Sequence, residues 1–467
     1  MNVLPYLGSE FSPAATALYR SDGSSITYAE VAAEAHDWAA KVSDSNSDSD
    51  KRLIFFYVPR APCAVGCLLG ILHSGHAVAL LDPDLSEAAR EKLEALYQPW
   101  LCLDLDTSDN GESIRSKETT HSQQFPIHPD VSLLLSTSGS TGSPKFARLS
   151  RSAVLANAQD IVSALGVSKS DRGSAHLDFH YSYGFSIFTT HLMAGASLAF
   201  TSGKFTDRAF WDELRSLQVT HLPGVPFHYE MMTRLGIERL KIPSVTVMTQ
   251  AGGRLALPLQ QKVHQYMESV GGRFYVMYGQ TEAAPRMSTL PHDRFLDKPG
   301  SVGPALQSGE FTILAEDGTA VAANEVGEVS YQGPNVMLGY ARSANDLAEG
   351  DLQAGILKTG DMGFLDDDGF LTINGRSNRM GKVYGWRVNL DELEKAVEEY
   401  GGAAVLQKDS SIVIVSLPEQ KTDIEELRNF LTKRFSLPAS VYSFAEVSEI
   451  PKNSRNKTDY NALARMI

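Results

Sequence analysis

The segment that ends at Lys145 combines the residue types that bind a polyphosphate. An apolar run, Val131–Leu135, predicts a buried strand, and it leads into glycine, serine and threonine residues over Thr137–Gly142. Glycines let backbone N–H groups approach an anion closely, hydroxyls add donors, and Lys145 adds a mobile positive charge. The pattern predicts a phosphate-binding loop, although a flexible Ser/Gly-rich linker has a similar composition.

This loop differs from the Walker A loop of P-loop ATPases. Pro144 stands where that motif has a glycine before its lysine, and no Ser or Thr follows Lys145 to ligate magnesium. A helical pattern runs from Ser150 to a stop at Gly166, so the loop is expected between a strand and a helix. The differences disfavour a Walker-type ATPase.

A second segment with suitable chemistry is Tyr278-Gly279-Gln280-Thr281-Glu282, which follows a predicted strand at Phe274–Met277. The carboxyl ends of parallel strands are where such sheets bind ligands. Tyr278 is suited to stacking on a base, and Glu282 is suited to ligating a magnesium ion that carries phosphates. By itself, the segment is also typical of a surface turn.

Two further segments contribute a carboxylate and a lysine. Asp361 follows Thr359-Gly360 in a predicted tight turn, where a carboxylate can bind both hydroxyls of a ribose, although many β-turns contain such an aspartate. Lys457 lies in Pro451–Asp459, a basic stretch that is otherwise typical of a solvated tail. Gly375–Arg387, which is rich in glycine and positive charge, lies between them.

The composition narrows the class of protein. A chain of 467 residues with 43% hydrophobic and 21% charged residues predicts a globular protein of two or more domains. The net charge of −14 argues against nucleic acid as a partner. Three cysteines make no disulfide framework, and neither a signal peptide nor a membrane span is evident, so a cytoplasmic location is expected.

The elements that position these segments alternate between strand and helix. Strand patterns occur at Leu53–Val58, Ala77–Leu81 and Leu101–Leu105. Helical patterns occur at Ala64–His73 and at Ser86–Tyr97, whose first residue is a favourable N-cap. This alternation predicts an α/β fold with a largely parallel sheet.

The pattern changes along the second half of the chain. A strand at Val245–Thr249 and a helix at Leu257–Val270 continue the alternation, whereas short strands and glycine turns from Glu310 to Thr372 predict a β-rich subdomain. A helix capped by Asn389 follows, and a later helix opens with the capping box Thr422–Glu425. These signals predict a small α+β domain at the C-terminal end.

In this order, the segments resemble the motifs of the adenylate-forming superfamily, which contains acyl-CoA synthetases, peptide-synthetase adenylation domains and luciferases. The resemblance covers almost the whole chain, and the ordered set is far more specific than any single motif. The matching segments are Ile26–Glu30, Gly75–Pro83, Thr137–Lys145, His180–Gly184, Tyr278–Glu282, Thr359–Asp361, Gly375–Glu394 and Pro451–Leu463.

The resemblance implies a particular domain organisation. Residues 1–377 are expected to form a large N-terminal AMP-binding domain with several sheets and the β-rich subdomain, and residues 378–467 a small, mobile α+β lid. The hinge falls at Asn378, where the family usually has Asp or Lys. Asparagine tolerates unusual backbone angles, which is compatible with a hinge.

The resemblance also implies an activity. In the family, a carboxylate attacks the α-phosphorus of MgATP, pyrophosphate leaves, and a thiol or an amine then displaces AMP from the acyl-adenylate. The protein contributes mainly positioning and charge stabilisation. ATP and Mg²⁺ are therefore the expected cofactors, with coenzyme A as a possible further one.

The family's motifs assign roles to individual residues of this chain. Gly253 and Tyr278, with the motif glycine Gly279, flank the adenine. Thr281 contacts the α-phosphate, Glu282 binds Mg²⁺, and Asp361 with Arg376 holds the ribose. The β- and γ-phosphates are held by the loop residues Thr137, Ser138, Gly139, Ser140, Thr141, Gly142 and Lys145.

Two lysines are assigned to the two half-reactions. Lys457 matches the lid lysine that bridges carboxylate and α-phosphate oxygens during adenylation, and Lys382 matches a lysine that faces the site after the lid rotates. Asn456 replaces the glycine that usually precedes the first lysine, and Gly381 replaces a β-branched residue. Asparagine is the next best residue for a left-handed backbone, so the role of Lys457 is retained.

The acyl pocket is expected at the aromatic segment made of His180, Tyr181, Ser182, Tyr183 and Gly184. Amino-acid-activating members of the family have an Asp at the position of Ser182, which holds the α-ammonium group of the substrate. A hydroxyl cannot supply that charge, which disfavours a standard α-amino acid. The ring-rich lining favours an aryl or other compact acid, although the same aromatic residues could serve only to pack the core. A stand-alone amino-acid-activating enzyme is the less favoured alternative.

The acceptor stays open at this level. No carrier domain follows Lys457 and no basic cluster identifies a coenzyme A site, so coenzyme A and a separate carrier protein are both retained as partners. An alternative is adenylation of another oxyanion, such as nitrite, for attack by an amine. An alternative of a different class is a non-catalytic nucleotide-binding regulatory protein, which the retained Lys145, Glu282, Asp361 and Lys457 disfavour.

Overall fold

The structure is a computed structural model. It describes residues 7, 12–43, 51–106, 113–119, 125–137, 145–383, 386–398, 400–408, 411–419, 423–435, 437–452 and 458–467, with the backbone alone at positions 378, 380, 382, 386 and 387. The chain divides into two compact units, Met1–Glu310 with Tyr331–Leu357, and Phe311–Ser330 with Lys358–Ile467. The predicted domain boundary at Asn378 stays a prediction.

The α-helices begin and end largely where the sequence signals place them. Ser86 Oγ accepts a hydrogen bond from the Ala89 N–H at 3.4 Å, and Ser150 Oγ accepts one from the Ala153 N–H at 3.1 Å. Gly166 ends its helix with φ of 65°. The helices are α1 Tyr28–Ser43, α2 Cys63–Ser74, α3 Glu87–Tyr97, α4 Arg151–Leu165, α5 Ser182–Met193, α6 Arg208–Ser216, α7 Pro226–Leu235, α8 Leu257–Ser269, α9 Leu390–Glu398, α10 Ile424–Phe435 and α11 Tyr460–Met466.

The strands are short and numerous. They are β1 Thr16–Tyr19, β2 Ser25–Thr27, β3 Leu53–Tyr57, β4 Ala77–Leu81, β5 Leu101–Asp106, β6 Ser113–Glu118, β7 Val131–Ser136, β8 Phe146–Ser150, β9 Arg172–Ser174, β10 Ser197–Ala199, β11 His221–Gly224, β12 Val247–Gln250, β13 Arg273–Gly279, β14 Arg286–Leu290, β15 Glu310–Leu314, β16 Gly327–Gln332, β17 Gly339–Ala341, β18 Ile356–Leu365, β19 Leu371–Arg376, β20 Met380–Val383, β21 Trp386–Asn389, β22 Gly402–Lys408, β23 Ser411–Ser416 and β24 Tyr442–Glu446. Among the described residues, no helix has the length and apolar character needed to cross a membrane.

The first unit contains a seven-stranded sheet in the order β17-β8-β7-β4-β3-β5-β6. Strands β5, β3, β4 and β7 run parallel in its centre, and the antiparallel strands lie at its two sides. All residues of β3 and β4 are buried, as expected for parallel strands covered on both faces. The prediction of an α/β fold is confirmed, and the centre of this sheet is parallel.

The first unit also contains an eight-stranded sheet in the order β14-β13-β12-β11-β9-β10-β1-β2. Here β11, β12 and β13 are parallel neighbours, while β14 pairs antiparallel with β13. The carboxyl ends of β12 and β13 therefore lie at one edge of the sheet, which is the edge where such sheets bind ligands. Tyr278 and Gly279 lie at that end of β13.

The loop prediction needs one correction. The phosphate-loop segment was expected to lead directly into the helix at Ser150, but strand β8 (Phe146–Ser150) lies between them and pairs antiparallel with β7. Apolar Phe146, Ala147 and Leu149 are buried in the sheet. Five residues without a clear alternating pattern were too short a signal to predict a strand.

The second unit contains most of a four-stranded sheet, β15-β16-β18-β19, a two-stranded sheet, β20-β21, and a three-stranded sheet, β22-β23-β24. Helix α9 is capped by Asn389, whose Oδ1 accepts hydrogen bonds from the N–H groups of Asp391 and Glu392 at 3.0 and 3.2 Å, which confirms the predicted cap. Thr422 lies outside the described residues, and Asp423 Oδ1 accepts from the first N–H groups of α10.

One prediction in this unit is wrong. Thr359-Gly360-Asp361 was expected to form a tight turn, but the three residues lie inside the ten-residue strand β18. Gly360 has φ of +70°, which only glycine adopts easily, so the strand backbone is irregular at this point. The glycine was interpreted as a turn signal because the sequence alone cannot distinguish an irregular strand from a turn.

Candidate active site

The two ends of the predicted phosphate loop meet in the first unit. Thr137 lies directly after β7, Lys145 lies directly before β8, and the Thr137 N–H donates a hydrogen bond to the Lys145 carbonyl at 3.2 Å. The residues between them, Ser138, Gly139, Ser140, Thr141 and Gly142 among them, lie outside the described residues. The structure therefore shows that the loop leaves the sheet at the end of β7 and rejoins it at the start of β8.

Lys145 and Glu282 are linked through a third side chain. The Lys145 ammonium lies 3.7 Å from the centre of the Tyr340 ring, which is a cation–π contact, and the Tyr340 hydroxyl donates a hydrogen bond of 2.7 Å to Glu282 Oε1. All three side chains are partly exposed. The loop lysine and the predicted magnesium ligand thus lie close to each other, with opposite charges held apart by one aromatic ring.

Tyr340 was missed by the sequence reasoning. It lies in β17, whose Cα pairing places it opposite Ala147 in β8, next to the returning end of the loop. The strand is only three residues long and lies far along the chain from the loop. No local signal distinguishes Tyr340 from other surface tyrosines, so only the sheet pairing reveals its position.

The aromatic segment contacts the Thr281 segment. Ser182 is the first residue of α5, and its Oγ lies 3.0 Å from Thr281 Oγ1 in a buried hydrogen bond. Ser182 is 5% exposed and Thr281 is 8% exposed. The predicted α-phosphate contact and the predicted acyl pocket are therefore adjacent, and no carboxylate stands at position 182 to hold an ammonium group.

Tyr183 and Gly184 are fixed by their surroundings. The Tyr183 hydroxyl donates to the Thr249 carbonyl at 2.9 Å, and burial raises the pKa of Tyr183 to about 12. A Cβ at Gly184 would lie 2.2 Å from the Asp178 carbonyl oxygen, so the first turn of α5 requires a glycine where it packs against this backbone. Tyr181 precedes the helix as its N-cap residue.

His180 lies near a carboxylate at the start of this segment. Its Nε2 is 3.9 Å from Asp82 Oδ2, and its side chain is 17% exposed. Asp82 belongs to the Gly75–Pro83 segment that resembles the family's second motif. The sequence reasoning assigned no role to this aspartate.

The predicted adenine-side residues lie at the carboxyl ends of adjacent parallel strands. The Gly253 carbonyl accepts a hydrogen bond of 2.7 Å from Gln250 Nε2 at the end of β12. Tyr278 is half-buried at the end of β13, and a Cβ at Gly279 would lie 1.9 Å from the Pro285 carbonyl oxygen. These residues therefore line the same edge of the eight-stranded sheet.

Asp361 and Arg376 are paired in the second unit. They are Cα partners across β18 and β19, and Arg376 Nε lies 3.1 Å from Asp361 Oδ1. Asp361 is 4% exposed and its N–H donates to Thr359 Oγ1 at 3.1 Å. The Arg376 N–H donates to Asp391 Oδ2 at 2.7 Å, which holds the end of β19.

The two predicted catalytic lysines are described to different degrees. Lys382 lies in β20 with Arg387 as its Cα partner in β21, and only its backbone is described. Lys457 lies outside the described residues, between the bridged residues Lys452 and Thr458. A Cβ at Gly381 would lie 2.9 Å from Gln407 Oε1, which is the end of a flexible side chain that can move aside.

A His–Glu–His group lies apart from these residues, on α8 and near the end of β14. Ligand atoms of His264, Glu268 and His292 lie within 4.8 Å of one another. However, His292 Nδ1 accepts the Phe274 N–H at 3.0 Å, so its Nε2 carries the proton and donates to Glu268 at 2.8 Å. The group is therefore a hydrogen-bonded cluster in which the ring nitrogen that faces Glu268 is already protonated.

Comparison with known proteins identifies the family. The family model of AMP-binding enzymes matches residues 9–341. A 2-succinylbenzoate–CoA ligase from Bacillus velezensis is 29% identical over 341 residues, which are 70% of this chain and 67% of that protein. The isonitrile lipopeptide synthase of Streptomyces coeruleorubidus is 27% identical over 95% of this chain, and the match spans 32% of that synthase.

A solved structure shows the same fold. ATP-bound MatB from Rhodopseudomonas palustris superimposes with a TM-score of 0.79 and 20% identity, covering 97% of this chain and 96% of that one. The family match extends over most of the chain, and the paired loop ends, the Thr281–Glu282 segment and the aromatic segment all lie within it. The chain therefore belongs to the AMP-binding enzymes, the adenylate-forming superfamily, and is an adenylate-forming ligase.

Proposed function

We propose that this enzyme activates an aryl or other compact carboxylic acid that lacks an α-amino group, and transfers the acyl group to the thiol of coenzyme A. The observation that carries the proposal is the link from Lys145 through Tyr340 to Glu282, next to the Ser182–Thr281 hydrogen bond. These contacts bring the phosphate-loop end, the acidic side chain and the aromatic segment together.

The proposed reaction has two steps, and one bond forms and one bond breaks in each of them. A substrate carboxylate oxygen attacks the α-phosphorus of ATP, the bond to the β-phosphate breaks, and pyrophosphate leaves. The thiolate sulfur then attacks the acyl carbon, the bond from that carbon to the phosphate oxygen breaks, and AMP leaves. Each step forms one bond and breaks one, so the protein mainly has to position groups and stabilise charge.

The proposed roles follow the resemblance described above. In the first unit, Thr137–Lys145 binds the β- and γ-phosphates, Thr281 contacts the α-phosphate, and Gly253 and Tyr278 flank the adenine. In the second unit, Asp361 and Arg376 bind the ribose hydroxyls, Lys457 acts in adenylation, and Lys382 acts in thiol transfer. The Ser182–Thr281 contact supports the placement of the reacting carboxylate beside the α-phosphate.

Glu282 is the residue proposed to hold Mg²⁺. Carboxylate oxygens are the ligands that this ion prefers, and the Tyr340 hydroxyl orients Glu282 through Oε1 only. No residue in the described part of the chain bonds Oε2 of Glu282, so this second oxygen is the one proposed to meet the ion. Bound there, Mg²⁺ would neutralise part of the charge of the phosphates.

The thiol acceptor is proposed from the relatives. Several of them are named as CoA ligases, including the 2-succinylbenzoate–CoA ligases and an indoleacetate–CoA ligase from Aromatoleum aromaticum. The names of these ligases favour a ring-containing acid, whereas two other relatives are named as long-chain-fatty-acid–CoA ligases. The match over 95% of this chain to an isonitrile lipopeptide synthase supports a separate carrier-protein thiol as the second candidate acceptor.

The test is acid-dependent exchange of labelled pyrophosphate into ATP over a panel of aryl, aliphatic and α-amino acids. Exchange with compact acids, followed by thioester formation with coenzyme A, is the expected result. Exchange with α-amino acids alone would overturn the proposed acid class. Thioester formation with a phosphopantetheine-bearing carrier protein and none with coenzyme A would replace the proposed acceptor.

A further inference from the structure

Arg286 is a buried cation without a counter-ion. It is 2% exposed at the start of β14, and its Nε is buried without a hydrogen-bond partner. Among the described residues, no carboxylate pairs with this guanidinium and no acceptor takes a hydrogen bond from it. Burial lowers the pKa of Arg286, because removing the charge from water without a partner is unfavourable.

Arg148 shows that this fold can satisfy a buried guanidinium. Arg148 is 0% exposed, and its Nη atoms donate to the carbonyls of Leu338, Glu349 and Gly350. Its guanidinium also lies 3.6 Å from the Glu349 carboxylate. The Nε of both arginines is buried without a partner, so Arg286 differs from Arg148 in that, among the described residues, its Nη atoms have neither a carbonyl acceptor nor a carboxylate. This difference supports a ligand that completes the Arg286 site.

The backbone of Arg286 is held firmly in place. Its N–H donates to Asn157 Oδ1 at 3.1 Å, and its carbonyl accepts from the Nδ2 atoms of Asn157 and Asn335 at 2.7 and 3.0 Å. All three residues are buried. A fixed backbone reduces the entropy lost when the guanidinium binds an anion.

The side chain of Arg286 is directed towards the aromatic segment. The guanidinium carbon lies 4.8 Å from the centre of the Tyr183 ring, and Tyr181 is the other group whose charge interacts with it. Ser182, between these tyrosines, bonds Thr281, the proposed α-phosphate contact. A path of neighbouring residues thus leads from the reacting centre to Arg286.

We propose that Arg286 binds a second anionic group of the acid, in the simplest case a carboxylate at the end opposite the one that is adenylated. The inference rests on the proposed function and sharpens its substrate class to compact diacids. The anion would supply the counter-charge that the protein does not, and a guanidinium can pair with a carboxylate through two parallel hydrogen bonds. A monoacid would leave the buried cation unpaired.

The test compares matched acids in the pyrophosphate exchange assay. Succinate is paired with butyrate, isophthalate with benzoate, and 4-carboxyphenylacetate with phenylacetate. The wild-type enzyme is expected to prefer a diacid in at least one pair. In Arg286→Met, kcat/KM for that diacid should fall at least about 30-fold, mainly through KM, while the matched monoacid keeps or gains activity. Arg286→Lys should fall between them.

Arg172→Met is the matched control. Arg172 also packs over a ring, 3.6 Å from the centre of Tyr19, but it donates to Ser197 Oγ at 3.3 Å and to the Leu217 carbonyl. Its loss should leave the diacid-to-monoacid ratio unchanged. An equal loss for diacid and monoacid in Arg286→Met would overturn the inference, since the guanidinium would then serve the fold or the reacting carboxylate.

Two further outcomes are decisive without a folded Arg286→Met variant. If the wild-type enzyme prefers the monoacid in every pair, the inference is wrong even though the proposed function stands. If no acid of either kind supports exchange, the proposed function fails, and this inference fails with it.

Discussion

The two ends of the candidate site in the first unit are built differently. At the phosphate end, Lys145, Tyr340 and Glu282 are partly exposed and linked by direct contacts. At the acyl end, Tyr183 and Arg286 are each 2% exposed. The first arrangement suits a highly charged, hydrated ligand that every turnover uses. The second is buried, which suits selection among acids, because excess volume and unpaired charge are costly in a buried site.

The comparison predicts that changes on the phosphate side act on all acids alike. The largest expected effect is that of Lys457→Ala, which should lower adenylate formation by about 10²–10³-fold if Lys457 acts as one preorganised charge donor. Thiol transfer from pre-made adenylate should survive better, and Lys382→Ala should show the reverse. The two half-reactions are measured separately by pyrophosphate exchange and by thioester formation from synthetic adenylate.

Lys92→Ala, on the exposed side of α3, is the matched control and should change neither half-reaction. Equal losses in both half-reactions would remove Lys457 from its assigned role. A loss confined to particular acids would break the comparison between the two ends.

Tyr340→Phe is a sharper test of the phosphate end. The ring over Lys145 is kept and only the hydrogen bond to Glu282 Oε1 is lost, so exchange should fall about 10-fold, as expected for a hydrogen bond to a charged group. The loss should be the same factor for every acid and should shift the magnesium dependence of the rate. Tyr266→Phe on α8 is the control, and an acid-selective effect would contradict this assignment.

Gly184→Ala tests how tightly the acyl end is packed. The new Cβ would meet the Asp178 carbonyl oxygen at 2.2 Å, so the free energy of unfolding should drop by about 1–3 kcal/mol. Urea denaturation measures the change, and Ser163→Ala on the exposed face of α4 should stay within about 0.5 kcal/mol. If Gly184→Ala has the same free energy of unfolding as the wild type, the backbone near Asp178 shifts easily to make room for the added methyl group.

The smallest effect concerns pH and the buried helix α5. Burial lowers the pKa of His191 to about 3, against 6.5 for an ordinary histidine. Between these values the unfolded chain binds a proton that the folded protein does not, so stability is complete above about pH 6.5 and falls as the pH decreases towards 3. Burial also lowers the pKa of His228 to about 4, which adds in the same direction.

The measurement is the free energy of unfolding between pH 7 and pH 4. His191→Gln should reduce the slope by up to about 1.4 kcal/mol per pH unit, whereas Ser163→Ala, an exposed substitution that removes no titratable group, should leave it unchanged. An unaltered slope in His191→Gln would mean that burial in α5 does not lower the pKa of His191.

Local signals were sufficient for much of the fold. Ser86 and Ser150 cap their helices, Gly166 ends one, and Asn389 caps another, because each of these interactions forms within a few residues of chain. Boundaries that depend on sheet pairing were less accurate, as at β12, which runs from Val247 to Gln250. Strand β8 was missed for the same reason.

The candidate site divides along the same line. The residue types and the order of the motif segments were sufficient to predict the family. They also drew attention to Glu282 and to the hydroxyl at Ser182. The contacts of Tyr340 and the burial of Arg286 beside Tyr183 could not be predicted, because they depend on residues brought together from distant parts of the chain. Arg286 follows the Tyr278–Glu282 segment closely, but nothing in the sequence indicates that its charge is buried.

The reaction class could be predicted from residue type and order alone, because the motifs proposed to bind phosphate and metal are short segments of chain. The side chains that surround those motifs became visible only in the folded protein. Tyr340 reaches Glu282 through the pairing of β17 with β8, and Arg286 reaches Tyr183 through the pairing of β14 with β13. Burial and counter-charge are properties of the assembled fold, so the proposed selectivity for the acid could not be predicted from the sequence.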